Sequence, residues 1–225
     1  MDRYVRNIGT LTQDENQTLH DSKVLVAGCG GLGGYIIQML ARLGIGHITA
    51  VDSDVFDRTN LNRQLFADEL SIGKSKALIT AERIKLINPD IDILPVIEYI
   101  DTANGEKILT GHDLIIDALD NIPSRLVLEK TCKNLNIPLV HGAIAGWYGQ
   151  VSSVLPGDDT LSSIYSSGIS RGIEKHLGNP AFTPALVASI QVSEAVKILI
   201  KRGEPLQNKL LFMDLLDNEF ITLDV

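Results

Sequence analysis

Cysteine is scarce: Cys29 and Cys132 are the only two among 225 residues, and each stands alone in its segment. A thiolate zinc site needs closely spaced pairs, so it is excluded. A disulfide framework is not expected, and a reducing cytoplasm is the expected compartment. Positive charge is also short, with 20 Lys and Arg against 28 Asp and Glu and a formal net charge of -8. A surface of that sign repels phosphate backbones and anionic lipid, so neither nucleic acid nor a membrane is an expected partner. A local basic pocket for one nucleotide stays open. Long apolar runs are missing. The stretches present are strand-sized, such as Leu114-Ile115-Ile116, and predict no membrane-spanning helix. The start, Met1 to Asn7, lacks the basic-then-apolar layout of a signal peptide. No Gly/Ser/Pro-rich linker, repeat or low-complexity tract divides the chain, so one domain is predicted over residues 1–225.

What is present is ordinary globular usage, 44% apolar and 21% charged, enough for one buried core. Lys23-Val24-Leu25-Val26-Ala27 is a short apolar run ending at glycines, a buried strand by length and β-branching. Residues 31–43 read as a helix with Ile36, Leu40 and Leu43 on one face. Strand-like runs recur at 47–51, 91–97, 113–118 and 137–141, with helical stretches at 73–87, 102–110 and 123–135 between them. Alternation at this spacing predicts parallel βαβ units covered on both faces. The last third differs: 149–155 and 209–224 look like further strands, and Pro184 opens a helix to about Leu199. That helix is apolar nearly all round except for Gln191, Glu194 and Lys197, which predicts burial in the core or in a subunit interface. Residues 156–183 show no clean period and read as a long functional or mobile loop. The predicted class is α/β: a Rossmann-like, doubly wound, mainly parallel sheet with C-terminal antiparallel strands.

Gly28-Cys29-Gly30-Gly31-Leu32-Gly33 is a G-x-G-x-x-G between a strand and a helix. Glycine allows a tight turn and close backbone approach to phosphate or ribose, and the helix N-terminus adds partial positive charge. Asp52 closes the next strand, where a carboxylate can hold ribose hydroxyls. This order of features points to a nucleotide without choosing between NAD and ATP. The following segment favours ATP. Asp54, Asn60, Leu61, Asn62, Arg63 and Gln64 make a polar loop, and Gly73-Lys74-Ser75-Lys76 opens a helix. A guanidinium and an ammonium beside a glycine loop suit a triphosphate better than a nicotinamide. Asp120, just past the fourth strand, is a natural magnesium ligand, or else the cap of the next helix.

Taken together these motifs resemble the adenylating family of MoeB, ThiF and HesA. The resemblance starts at Arg3-Tyr4-Val5-Arg6-Asn7 and runs through the glycine loop, Asp52, Asn60 to Gln64, Gly73 to Lys76, Asp120-Asn121, Gly142 to Gly146, Gly149-Gln150 and the Pro184 helix. It implies that Gly28, Gly30, Gly31 and Gly33 approach ATP and that Asp52 holds its ribose. Arg63 and Lys76, with Asn60 nearby, would bind the triphosphate; Asp120 would ligate Mg2+; and Arg6 would reach into the partner's site across a homodimer. The implied reaction adenylates the C-terminal glycine of a small ubiquitin-like sulfur carrier, ThiS- or MoaD-like, with release of pyrophosphate, in thiamin, molybdopterin or another sulfur-requiring pathway. A carboxylate is already a deprotonated nucleophile, so preorganised cations carry the catalysis and no histidine-based constellation is expected.

The chain departs from the family pattern in places. The first of the Cys-x-x-Cys pairs that many relatives carry falls in Leu161-Ser162-Ser163-Ile164-Tyr165-Ser166, without cysteine, so no zinc is expected. The position near His176, where some relatives have a cysteine, has none either, and His176 reads as an ordinary loop residue. Cys29 and Cys132 read as small buried side chains. Trp147-Tyr148 either lines a channel for the carrier's tail or covers the core. Other functions weighed are ATP-dependent activation of a tRNA-base carboxylate, against which the negative charge stands; an NAD-binding oxidoreductase or sensor; and a non-catalytic ATP-binding scaffold.

Overall fold

The structure, a computed structural model, describes residues 2–165 and 177–225. One sheet holds eight strands: β1 (Lys23–Ala27), β2 (His47–Val51), β3 (Asp92–Val96), β4 (Leu114–Asp117), β5 (Leu139–Ala145), β6 (Tyr148–Val154), β7 (Lys209–Asp214) and β8 (Glu219–Asp224). Their spatial order is β3-β2-β1-β4-β5-β6-β7-β8. β1 to β5 pair in parallel, and the pairs from β5 to β8 are antiparallel. The described helices are α1 (Gln13–Asp21), α2 (Gly31–Leu43), α3 (Lys76–Ile87), α4 (Gly105–Leu109), α5 (Ile122–Leu135), α6 (Thr160–Ile164) and α7 (Phe182–Ile200). This is the predicted doubly wound class.

β1 is apolar at every position after Lys23 because both of its faces are covered. Val24 and Val26 pack with Ile36, Leu40, Ile84 and Val187 of α2, α3 and α7. Leu25 and Ala27 pack on the other face with Leu109, Leu128 and Leu161 of α4, α5 and α6. The strand order reverses between β1 and β4, which opens a crevice at their carboxyl ends, where ligands bind in sheets of this kind.

Several elements differ from the sequence expectation. α1 was not expected: only its Leu19 is buried, so no apolar stripe announces it, and a Thr12/Glu15 capping box starts it. The helix expected at 102–110 shrinks to α4, because Asp101 accepts from the backbone of Ala103 and Asn104 and makes a turn there. The strand expected at 137–141 begins at Leu139 and runs on to Ala145, then turns into β6. Residues 209–224 divide into β7 and β8 at a turn with Asn218 at φ 58. α6 lies inside the stretch read as a long loop. α7, with 19 residues and an 18-residue window of mean hydropathy 1.4, is long and apolar enough to cross a membrane by length and composition alone, which the strand-sized apolar runs did not announce. It is nevertheless a core helix. Gln191 is fully buried and donates to the Asp117 carbonyl at 2.8 Å, and Glu194 accepts from Ser153 Oγ and Leu206 N.

Two glycines fix how β1 meets α2. Gly28 has φ 104, and a Cβ there would lie 2.6 Å from the Ala118 carbonyl oxygen of the neighbouring chain segment. A Cβ on Gly33 would lie 1.8 Å from the Gly28 carbonyl oxygen, a clash with backbone that no rotamer relieves. Gly33→Ala is therefore expected to destabilise the fold by about 3 kcal/mol, the upper end of overpacking costs. Urea unfolding checks this, with the midpoint falling while the slope stays constant.

Candidate active site

At the crevice, Gly28, Gly30, Gly31, Asp52, Arg63, Lys76 and Asp120 line one cavity of about 370 Å³. Segments distant in sequence thus meet at the carboxyl ends of β1, β2 and β4. Gly33, Asn60 and Arg6 are not in its lining. Gly33 is buried beneath the glycine turn. Asn60 is buried and shapes the loop: its Oδ1 accepts from Asp57 N, and its carbonyl accepts from Arg63 N and Gln64 N. Arg6 is exposed on the N-terminal segment. His176 lies outside the described residues.

The cations are held in place before any ligand arrives. Lys76, at the first turn of α3, has a side chain only 9% exposed, and its Nζ donates to Asp54 Oδ2 at 3.0 Å. Arg63 Nη1 donates to the Thr59 carbonyl and to Asn62 Oδ1. Asp52 accepts from Cys29 N and Asp54 N, both at 2.8 Å, so it ties the glycine loop to the segment after β2. Burial raises the Asp52 carboxyl above its ordinary range, and those two backbone donors oppose the shift. Asp120 is exposed and does not cap α5; Asn121 does, its Oδ1 accepting from Ser124 N at 2.9 Å. That leaves the Asp120 carboxylate facing the cleft.

The lining carries four carboxylates, Asp52, Asp54, Glu98 and Asp120, against three cations, Arg63, Lys76 and Arg125. A triphosphate entering such a lining needs further positive charge. One carboxylate together with phosphate oxygens is a usual Mg2+ donor set, so Asp120 fits a nucleotide-bound Mg2+. Among the described residues no group of three or more His, Cys, Asp and Glu could hold a metal by protein ligands alone. Buried Gln64 Oε1 and Asn179 Oδ1 have no hydrogen-bond partner and belong to residues lining the same cavity, so acceptors stand ready for ligand donors.

A second cavity, of about 430 Å³, adjoins the first, and Arg125 and Ile144 line both. Tyr148, Gly149, Gln150, Tyr165 and Phe212 complete much of its wall. Tyr148 stacks on Phe212 with centroids 5.9 Å apart, while Trp147, 44% exposed, packs against Phe182 outside the cavity. Beneath lies a buried polar chain built around a histidine. His141 Nδ1 lies 2.7 Å from Asp117 Oδ2, and both side chains are fully buried. His141 Nε2 lies 3.1 Å from the Tyr165 hydroxyl. Burial holds the imidazole below its ordinary pKa, so it is neutral near pH 7. Arg125, His141 and Tyr165 were not singled out from sequence as site residues, and Gln150 entered only as part of the Gly149-Gln150 motif. The available signal was a histidine inside an otherwise apolar strand, at Leu139-Val140-His141.

Neither cysteine is poised for chemistry. Cys29 is 1% exposed, and burial with the nearby Asp52 charge holds its thiol far above the ordinary range. Burial pushes the Cys132 thiol up to about 12. The α6 segment, which has no cysteine, is tied to α5 by Glu129, which accepts from Leu161 N, Ser162 N and Ser162 Oγ. Iodoacetamide at pH 8 is expected to label neither thiol in the native protein and both after unfolding. Labelling of either in the folded state would contradict this.

The ThiF family profile matches residues 4–225. The SAMP-activating enzyme E1 of Haloferax volcanii is 36% identical over 228 residues, covering 99% of this chain and 84% of that protein. The sulfur carrier protein adenylyltransferase of Thermus thermophilus is 30% identical over 236 residues, covering 100% of this chain and 87% of that protein. In fold, the crystal structure of PaaA superposes with a TM-score of 0.83 at 22% identity, covering 100% of this chain and 73% of that one. The chain belongs to the ThiF family, and its enzyme class is that of its named relatives, the nucleotidyltransferases.

Proposed function

We propose that this enzyme uses ATP with Mg2+ to adenylate the C-terminal glycine carboxylate of a small ubiquitin-like sulfur carrier, ThiS- or MoaD-like, and releases pyrophosphate in a reducing cytoplasm. The observation that carries the reading is the meeting of glycine loop, Arg63, Lys76 and Asp120 in one cavity that opens beside a second, partly aromatic one. The first has the fittings for a nucleoside triphosphate, and the second has the small and aromatic walls to admit an extended tail ending in glycine. The names of the relatives support the substrate class.

In this reading Asp52 accepts from the ribose hydroxyls, and the backbone around Gly28, Gly30 and Gly31 allows close approach of the nucleotide. Arg63 and Lys76 hold the β- and γ-phosphates and offset the charge that builds on departing pyrophosphate. Asp120 would hold Mg2+, which would supply neutralisation of the triphosphate's charge. The carrier's carboxylate attacks the α-phosphorus from the second cavity, passing Arg125. Positioning and electrostatics suffice, because the nucleophile arrives deprotonated.

The reading predicts that magnesium ATP raises the melting temperature by mass action, whereas NAD at the same concentration does little. Asp120→Ala and Arg63→Ala are expected to lower carrier-dependent ATP–pyrophosphate exchange by about 100-fold or more, with melting temperature nearly unchanged because both side chains are at the cleft surface. Full exchange in both variants, or a larger shift with NAD, would overturn the assignment.

A homodimer completed by Arg6 belongs to the same proposal. Arg6 carries an exposed guanidinium with no role in its own cleft lining, which fits service across a subunit boundary. Arg6→Ala alone is expected to lose exchange. Mixed dimers of Arg6→Ala and Arg63→Ala chains should recover part of it, since one of their sites then holds both arginines. Absence of recovery despite subunit mixing, shown by mass spectrometry of tagged chains, would remove Arg6 from the neighbouring site.

A further inference from the structure

The buried Asp117–His141–Tyr165 chain is not used by the adenylation step, which transfers no proton. Its hydrogen bonds nevertheless have a definite direction. Asp117 Oδ2 can only accept, so His141 Nδ1 carries the hydrogen between them and, in the neutral ring, Nε2 is left as the acceptor. The Tyr165 hydroxyl, 3.1 Å away, and Gln150 Nε2, 3.3 Å away, are the groups that can donate to it, the hydroxyl at the shorter distance. Two further donors point at the same phenolic oxygen: Gln150 Nε2 at 2.7 Å and Arg125 Nη1 at 3.3 Å. A phenol whose hydrogen faces a neutral imidazole, and whose oxygen faces an amide and a guanidinium, is set to pass its proton inward. The imidazolium so formed would stand 2.7 Å from the buried Asp117 carboxylate, which stabilises it. Tyr165, Arg125 and Gln150 line the second cavity, and Arg125 also lines the nucleotide cavity, so the phenol faces the junction where the acyl adenylate would form.

We propose that Asp117, His141 and Tyr165 form a proton relay that serves the step after adenylation, attack of an external thiol on the acyl adenylate. The inference rests on the adenylation reading above. A thiol with an ordinary pKa of about 8.5 is mostly protonated at neutral pH and needs a proton acceptor to attack efficiently. The sulfur lone pair adds to the acyl carbon, and the S–H proton moves to Tyr165 Oη as Tyr165's own proton moves to His141 Nε2. The acyl C–O bond then breaks with its electron pair leaving on AMP. The products are a thioester, AMP and an imidazolium that returns its proton to water. Tyr165 is the catalytic residue of this step; Asp117 and His141 act through it, as positioning and proton-accepting groups.

Charged and titratable groups facing His141 are Asp117 on β4, Arg125 and Glu129 on α5, and Tyr165 after α6. Burial dominates and holds the imidazole below about 6.5, its ordinary value. Because only the neutral ring accepts a proton, thiol transfer is expected to fall as pH drops through that lowered pKa.

The test forms adenylate on the intact enzyme with magnesium ATP and whichever ThiS- or MoaD-like carrier supports pyrophosphate exchange, then chases it with a thiol and follows AMP release. With 2-mercaptoethanol, Tyr165→Phe, which keeps the ring that packs edge-on to His141, is expected to lose about 100-fold in rate together with the acid limb of the pH profile. With 4-nitrothiophenol, already ionised at the assay pH, wild type and variant are expected to match. An equal loss with both thiols would assign Tyr165 a structural role, and no loss with either would remove it from the step; both overturn the relay. Failure of the wild type to exchange pyrophosphate with any carrier would overturn the adenylation reading itself, a separate result.

Discussion

The carboxylate of Asp117 is fully buried at the end of β4, between the two cavities' supporting elements. A bare carboxylate taken out of water costs several kcal/mol, so its surroundings must answer it. They do so from several directions. Leu119 N donates to Oδ1 at 2.9 Å, His141 donates to Oδ2, and the Arg125 guanidinium stands 3.7 Å away. The Asp117 carbonyl meanwhile accepts from Gln191 of α7. One residue therefore ties β4 to β5, α5 and α7. The bond to Leu119 also fixes the turn that presents Asp120 at the cleft, so the buried charge sets where the exposed one sits. Arg125 reinforces that turn through its bond to the Leu119 carbonyl at 2.7 Å.

A site organised this way separates the groups that shape it from those that line the cleft. Asn60, Gly33 and Asp117 shape loops and turns while buried. Arg63, Lys76 and Asp120 project from those loops. Lys76 bridges the categories: its stem is enclosed, while its ammonium, paired with Asp54, keeps further N–H donors for phosphate oxygens. Pairing holds the ammonium in place, and the nearly balanced lining keeps an empty cleft from carrying a large unscreened charge.

The parallel half of the fold was readable because burial on both faces leaves a strong signal. Val24 to Ala27 and Leu114 to Ile116 are continuous apolar runs, and glycines mark where the first one turns. The meeting of Gly28, Asp52 and Lys76 in one cleft was readable for a related reason, since each sits just past a strand or at a helix start. Failures fall where the deciding interaction is polar or distant. α1 has almost no apolar face and depends on the Thr12/Glu15 capping box, a signal present in the sequence but weak by itself. α6 begins where Glu129, 32 residues earlier, offers its carboxylate to Leu161 N. Asp120 and Asn121 are adjacent residues with similar capping propensity, and only the geometry assigns the cap to Asn121. His141, Tyr165 and Arg125 come from three separate elements, and no spacing rule joins them.

Gln191 and Glu194 show why composition misjudges α7. By length and hydropathy the helix passes for a membrane span, yet its two most polar buried residues each complete a bond that the sheet requires. Without Gln191 the Asp117 carbonyl would lose its partner on that face, and without Glu194 both Ser153 Oγ and Leu206 N would. An unsatisfied buried polar group costs about 1–3 kcal/mol, so these residues tie α7 to one orientation on β4, β5 and β6. That orientation also positions the Cβ-free edge of Gly142, where any side chain would overlap the Gln191 amide at 2.3 Å. The close packing of α7 on β5 is thus set by a glycine on the strand and a glutamine on the helix. It holds His141, the neighbour of Gly142, in the buried position from which it reaches both Asp117 and Tyr165.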